Sequence, residues 1–234
     1  MKWYLLITLG MGLWLTGCNQ AELDQLKESN EKLVAENQSL KSTQDKIQNQ
    51  MNRMEEIDKR VRFWVGQMQN AKARIETNVG NIEVKFYPEK APIHCFAFIA
   101  RAEGGFYDNT QFHRVISGFM IQGGDPNTKN KDPYDDGMGG PLVNIPHEFN
   151  DTKHMKGILS MARVGDVNVG AGSQFFIMHG PTPHLDGQYT AFGEVINGLD
   201  VVDKIANMNV IQNNPRLQDH PSSPVIIKHI EVFR

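Results

Sequence analysis

Three short segments of the chain combine a cation, aromatic rings and side-chain amides. They are residues 112–125, 172–177 and 185–193. The guanidinium of Arg114 stays charged and can donate several hydrogen bonds from a rigid plane. Large apolar side chains such as Phe119 and Phe176 would offer a dry slot beside it. Such a set can hold a partly apolar ligand and stabilise developing charge without a nucleophile or a metal.

Metal chemistry has little support in the sequence. The eight histidines are scattered without ligand spacing, so each is expected in the core or on the surface. Strand alternation predicts that His113 points to the opposite face from Arg114. Residues 132–137 lack the alternating ligands and terminal glutamate of an EF-hand and predict a solvated loop. No metal and no cofactor is predicted.

The chain resembles the cyclophilin family in Phe112-His113-Arg114-Val115-Ile116-Ser117-Gly118-Phe119-Met120-Ile121-Gln122-Gly123-Gly124-Asp125. The same pattern continues, in the same order, in residues 137–140, 157–162, 172–177, 185–187 and 192–193. The resemblance covers residues 73–234. It implies a mainly β fold, a closed eight-stranded antiparallel barrel capped by two helices. It also implies peptidyl-prolyl cis-trans isomerase activity on proline-containing, unfolded or flexible polypeptides, together with chaperone-like assistance to folding.

An enzyme with that activity must stabilise the state in which the X-Pro peptide bond is twisted. Rotation faces a barrier of roughly 18–20 kcal/mol because resonance stiffens the C–N bond. A catalyst must hold the proline while the other side twists, and must favour a prolyl nitrogen that has lost conjugation. The resemblance gives Arg114 the role of donor toward the nitrogen lone pair. The alternative is that Arg114 is a surface ion-pair partner.

The resemblance also implies a set of substrate-binding residues around Arg114. Phe119, Met120 and Phe176 would form the proline slot, with Leu185 alongside. The full set comprises Phe119, Met120, Gln122, Ala162, Arg163, Gln174, Phe176, His184, Leu185 and Tyr189. Gln122 would hydrogen-bond the substrate backbone, and strand alternation puts it on the same face as Met120.

Two of these positions depart from many eukaryotic cyclophilins. His184 stands where those proteins have a tryptophan that favours cyclosporin binding, so we expect weak inhibition by cyclosporin. Tyr189 stands where they have a histidine, as in many bacterial members, and it can still present a ring and a hydroxyl.

Two other functions compete with an isomerase. The groove could be a binding module for proline-containing segments in which turnover is incidental, or the molecule could be an envelope scaffold. The joint presence of Arg114, Phe119, Gln122 and Phe176 favours the isomerase, because a scaffold would not require that set.

The elements that would position these residues are many short strands and two helices. Residues 75–79 and 82–86 alternate with a period of two around Gly80-Asn81, which predicts a hairpin with a two-residue turn. Further strands are predicted at 112–116, 119–122, 157–162, 174–179, 191–195 and 225–233, and helices at 88–102 and 199–207.

A helical stem precedes the barrel in residues 18–72. Apolar side chains recur every seven positions, at Leu26, Leu33, Leu40, Ile47, Met54, Val61 and Met68. The companion row is largely polar: Leu23, Asn30, Asn37, Gln44, Met51, Asp58 and Val65. The first row predicts a long helix and self-association through residues 21–70. A solitary helix, or one docked on the barrel, is the alternative, and the choice between dimer and trimer stays open.

Residues 1–17 predict an export signal. Lys2 precedes an apolar stretch from Trp3 to Leu15, and Leu15-Thr16-Gly17-Cys18 resembles a bacterial lipoprotein cleavage site. Lipid on Cys18 would anchor the chain in the cell envelope, facing the periplasm. Asn19 after the cysteine favours the outer membrane over the inner. The alternative is an uncleaved anchor, but the stretch is short for a span.

The charge and the cysteine content of the chain restrict the partners and cross-links that are expected. The net charge of −3 and the absence of a Lys/Arg run give no support for nucleic-acid binding. Only Cys18 and Cys95 occur, so no disulfide framework is expected. Cys95 lies in an apolar helical stretch and is expected to be a buried hydrophobe.

Overall fold

A computed structural model describes the backbone from Trp3 to Arg234 and the side chains from Gln20 onward. The predicted signal segment 1–17 and the predicted lipidation site Cys18 lie outside the residues described in full. The chain divides into two compact units, Met1–Lys59 and Arg60–Arg234. Within the part of the chain that the structure describes, no helix combines the length and hydropathy needed to cross a bilayer.

The first unit is helical. Helix α1 runs over Trp3–Met68 and so extends into the second unit. Its described part contains strong helix formers and no proline, and each residue from Gln20 to Lys59 is exposed. The long helix predicted for the stem is therefore confirmed.

The second unit is a mainly antiparallel β structure with two short helices. Its strands are β1 Lys72–Thr77, β2 Asn81–Phe86, β3 Thr110–Gln111, β4 Arg114–Ile116, β5 Met120–Gly123, β6 Ile158–Arg163, β7 Ala171–Met178, β8 Ala191–Asn197 and β9 Ile226–Phe233. The helices are α2 Pro92–Glu103 and α3 Leu199–Ala206, and 3-10 turns occur at Pro126–Lys129, Val167–Val169 and Pro183–Leu185.

The sheet closes on itself through one bent segment. Its strand order is β3-β9-β1-β2-β8-β6-β7-β5-β4, so that β3 and β4 are the two ends. These two strands are consecutive in the chain. Between them the Phe112 amide donates to the Val225 carbonyl and the His113 amide to the Gln122 carbonyl, at 2.9 and 3.1 Å. The predicted strand 112–116 is thus bent into two, and the barrel has eight strands when β3 and β4 count as one.

Two apolar clusters lie on opposite faces of the barrel wall. The large cluster fills the interior with alternate side chains of the strands and one side of α2, including Ile75, Phe98, Phe175 and Phe192. Met68, in the last turn of α1, is buried in the same cluster. The smaller cluster is built around Met120, Phe176, Met178 and Leu185 and lies outside the barrel. This second cluster leaves part of its surface open to a ligand.

Two of the wrongly predicted boundaries are explained by local hydrogen bonds. The hairpin turn is at residues 78–80 rather than 80–81, because the Thr77 hydroxyl accepts from the amides of Val79 and Gly80, both at 3.1 Å. Helix α2 begins at Pro92 rather than at residue 88. The Tyr87 carbonyl accepts from the Lys90 and Ala91 amides, which closes a separate turn before the helix.

Candidate active site

A line of cross-strand neighbours crosses the outer face of the barrel. Arg114 on β4 lies opposite Gln122 on β5, which in turn lies opposite Phe176 on β7. Paired residues on neighbouring strands project to the same face. The registers therefore place the guanidinium, the amide and the phenyl ring side by side, although residues 114 and 176 are far apart in sequence.

These three side chains line a cleft of about 440 Å³. Its apolar floor comes from strand β5, strand β7 and the 3-10 turn before Asp186. The residues of the predicted set that line the cleft are Arg114, Phe119, Met120, Gln122, Ala162, Arg163, Phe176, Leu185 and Tyr189. Met120, Phe176 and Leu185 are almost fully buried, and the Tyr189 ring meets Phe176 edge-on with centroids 5.7 Å apart. The floor can therefore hold a small apolar ring.

Arg114 lines the cleft, and its Nε is held by Asp219, which lines the same cleft. Nε donates to Asp219 Oδ2 at 3.1 Å, and the Arg114 side chain remains 43% exposed. No other hydrogen bond from the guanidinium is found among the described residues. The two hypotheses for Arg114 are therefore compatible. Arg114 is an ion-pair partner, and it also faces the cleft formed by Phe119 and Phe176.

Gln122 and Gln174 form a chain of hydrogen bonds that ends on a neighbouring loop. Gln122 Nε2 donates to Gln174 Oε1 at 2.9 Å, and Gln174 Nε2 donates to the carbonyls of Gly137 and Gly139 at 2.9 and 2.8 Å. The side-chain Oε1 of Gln122 has no hydrogen-bond donor among the described residues and can accept a hydrogen bond from a ligand. Gln174 lies in a second cleft of about 340 Å³ that shares Gln122, Ala162 and Arg163 with the first. The glutamines therefore join the two clefts.

Arg163 forms the boundary between the two clefts. Its guanidinium carbon lies 4.6 Å from the centre of the Tyr189 ring, and its Nε donates to the Gln188 carbonyl at 2.9 Å. Its Nη1 donates to the carbonyls of Val164 and Gly165. These bonds hold a positive charge at the mouth of the apolar cleft. His184 lies outside the two clefts and stacks on Phe119 with ring centroids 6.5 Å apart.

Sequence reasoning missed two segments that line the cleft. One contains Pro133, Tyr134 and Asp136, and the other is residues 215–220, between α3 and β9. In this segment His220 Nε2 lies 3.0 Å from Asp136 Oδ2. No periodicity marks this loop in the sequence, and only the presence of Asp219 near a proline-rich turn could have drawn attention to it.

His113 also lines the cleft, contrary to the alternation argument. The chain bends at residues 112–113, so alternation does not continue from β3 into β4. His113 is only 6% exposed, and neither ring nitrogen has a hydrogen-bond partner among the described residues. Burial lowers the pKa of His113 to about 4, which keeps the ring neutral near pH 7.

No three His, Cys, Asp or Glu side chains converge as metal ligands in the part of the chain that is described. The cleft instead offers one guanidinium, one amide acceptor and an apolar floor. Such a site can bind a polar backbone beside an apolar ring and can donate to a nitrogen or oxygen at its rim.

Comparison with known proteins agrees with this geometry. Residues 72–232 match the family model of the cyclophilin type peptidyl-prolyl cis-trans isomerase/CLD. A peptidyl-prolyl cis-trans isomerase of Synechococcus elongatus is 43% identical over 147 residues, which are 59% of this chain and 95% of that protein. A peptidyl-prolyl cis-trans isomerase-like 2 protein of Rhizopus delemar is 43% identical over 69% of this chain, but the match spans only 28% of that longer protein.

Solved structures show the same fold. The crystal structure of a Cryptosporidium parvum cyclophilin type isomerase, determined in the presence of the dipeptide Ala-Pro, has a TM-score of 0.62 and 33% sequence identity. The match covers 70% of this chain and 99% of that chain. Since the family model covers most of the chain and the fold agrees, this chain belongs to the cyclophilin type peptidyl-prolyl cis-trans isomerase family.

Proposed function

We propose that the barrel catalyses cis-trans isomerisation of X-Pro bonds and that Arg114 is its catalytic residue. The observation that carries this proposal is the position of the Arg114 guanidinium at the rim of the cleft floored by Met120, Phe176 and Leu185. Gln122, directly across the strand pair, supplies a hydrogen-bond acceptor for the substrate backbone. The proline ring occupies the apolar floor, and the preceding carbonyl twists above it.

The chemistry requires no covalent step. As the C–N bond rotates, resonance is lost and the lone pair becomes localised on the prolyl nitrogen. A nearby N–H of Arg114 donates to that lone pair more strongly in the twisted state than in either planar state. Each factor of ten in rate needs about 1.4 kcal/mol of this selective stabilisation. One charge-assisted hydrogen bond and a dry binding site are of that order.

A protease-coupled isomerisation assay on the wild type and Arg114→Ala tests this assignment. We expect wild-type turnover and a loss of about 100-fold in kcat/KM for the variant. Arg74→Ala is the matched control, because Arg74 pairs with Glu83 and Glu231 and does not line the cleft. Equal rates for the wild type and Arg114→Ala would remove Arg114 from the mechanism. Peptide binding without any wild-type turnover would instead support a binding module.

We further propose that the protein acts on exported chains at the cell envelope, anchored by lipid on Cys18 and facing the periplasm. The signal-like residues 1–17 and the cysteine that follows them support this proposal. Labelled palmitate should enter the wild-type chain and not Cys18→Ser. Fractionation of the envelope should then place the labelled protein in the outer membrane, as Asn19 favours. Absence of label from the wild type would refute the anchor.

The stem adds a proposal of self-association through residues 21–70. Its support is the apolar heptad row, which is exposed from Leu26 to Val61, whereas Met68 at its end is buried. A spacer of this kind would carry the barrel away from the lipid surface, because a helix rises 1.5 Å per residue.

A further inference from the structure

The stem presents a continuous apolar row to solvent. Leu26, Leu33, Leu40, Ile47 and Met54 are between 52% and 70% exposed. Monomeric soluble proteins rarely expose contiguous apolar surface of this length. Within the unit Met1–Lys59, no described strand or second helix is present to cover the row. A second helix with a matching repeat would cover the row.

We propose that two copies of this chain pair through residues 23–54 as a parallel, in-register, two-stranded coiled coil, which gives a geometry to the self-association proposed above. The apolar row occupies the d positions of the heptad, and the companion row occupies the a positions. In a parallel pair each a layer meets its own copy. Asn30, Asn37 and Gln44 then face identical amides, which can donate and accept between the helices.

Other arrangements leave polar side chains of the companion row without hydrogen-bond partners. In an antiparallel pair, a layers face d layers, so the same amides would be buried against leucine or isoleucine without partners. A register shift of one heptad would pair Asn30 with Leu23 or Gln44 with Met51 at the ends of the polar run. Polar amides at a with leucine at d also favour two strands over three.

The flanking charges point to the same register. In the g and e positions, Glu22 of one copy lies beside Lys27 of the second copy, and Glu36 beside Lys41. Both pairs are attractive in the parallel arrangement. Of the remaining g–e pairs from residue 29 to residue 55, none combines two like charges. Lys27 also lies 3.8 Å from Asp24 within its own helix, which does not prevent the second contact.

Disulfide trapping tests orientation and register in the full chain. In a Cys18→Ser background, Leu33→Cys places a thiol in the proposed seam, and Ser42→Cys places one on the outward f position. Cys95 is buried and donates to the Phe192 carbonyl, so it does not compete. We expect Leu33→Cys to form a covalent dimer at least tenfold faster than Ser42→Cys. Equal rates, or no dimer from Leu33→Cys, would overturn the proposed seam.

Sedimentation equilibrium tests the stoichiometry independently. The Cys18→Ser chain is expected at twice its monomer mass, and Leu40→Asp at the monomer mass, whereas the outward Ser42→Asp keeps the dimer. Isomerase activity per barrel should be unchanged in all three proteins. A monomeric or trimeric Cys18→Ser chain would refute the proposal, and this outcome is separate from any failure of the Arg114 assay.

Discussion

Arg114 and Asp219, which both line the cleft, form an ion pair with Nε and Oδ2 3.1 Å apart, although they are 105 positions apart in the chain. The contact uses Nε and leaves the two terminal amino groups of Arg114 for a ligand. In the proposed mechanism Asp219 would be a positioning residue, because it restrains the guanidinium that would contact the substrate.

Asp219→Asn should reduce kcat/KM by a factor of about 1.4 to 5, because partly exposed ion pairs contribute about 0.2–1 kcal/mol. The loss should fall on kcat, since the apolar floor, which is the proposed proline slot, is unchanged. Steady-state kinetics on a proline tetrapeptide check the split between kcat and KM. Glu231→Gln breaks the Arg74–Glu231 pair and is the control expected to keep wild-type kinetics. An effect of Asp219→Asn confined to KM would contradict the positioning role.

Cyclosporin should inhibit the wild type weakly because His184, stacked on Phe119, stands where a tryptophan favours the inhibitor. His184→Trp should tighten inhibition by about tenfold, since a larger ring adds apolar contact. Inhibition titrations of the isomerase measure this change. The control His229→Trp lies on β9, outside the cleft, and should leave inhibition unaltered. Nanomolar inhibition of the wild type would show that the tryptophan is unnecessary.

Stability should fall as the pH drops from 6.5 toward 4, in part because of His113. Its folded-state pKa of about 4 lies below the ordinary value of 6.5, so in this window only the unfolded chain takes up the proton. The free energy of unfolding should therefore decrease by up to about 1.4 kcal/mol per pH unit from this residue.

Urea unfolding of the wild type and His113→Gln at several pH values measures that slope. The variant should have the shallower dependence even if its stability at pH 7 is lower. A residual slope is expected from His147 and His154, because burial lowers the pKa of each. Identical slopes in the two proteins would show that His113 does not resist protonation.

Glu148 supplies the cap that helix α2 lacks in its own sequence. Its carboxylate accepts from the amides of Ile93 and His94 at 3.0 and 2.9 Å and lies 2.6 Å from His94 Nδ1, whereas Ala91 at the N-cap offers no side-chain bond. Glu148→Ala should destabilise the barrel by about 1–3 kcal/mol, because it removes the cap and leaves buried donors unpaired.

Urea denaturation with matched m-values checks this loss. Glu103→Ala, at the exposed C-terminal end of the same helix, is the control expected to change stability by less than about 0.5 kcal/mol. A Glu148→Ala barrel as stable as the control would mean that water caps the helix equally well.

The sequence was most informative where a repeating pattern met a long specific motif. The alternation of apolar and polar residues predicted the bounds of most strands to within three residues of those observed. The segment containing Arg114 and Phe119 identified the outer face of β4 and β5. It was least informative where contacts are non-local. Asp219 is held beside Arg114 only by the fold of residues 207–225, and His113 turns into the cleft only because the chain bends between β3 and β4. Neither relationship has a local signature.

The place of β9 in the ring sets an order of events during synthesis. This last strand is inserted between β1 and β3, and Asp219 lies seven positions before its first residue, Ile226. A nascent chain that ends before Ile226 contains strands β1 to β8 but lacks the strand that joins β1 to β3, so its barrel cannot close. The barrel can therefore close only after β9 has left the ribosome, and a chain arrested before that strand holds β1 and β3 without the partner that joins them.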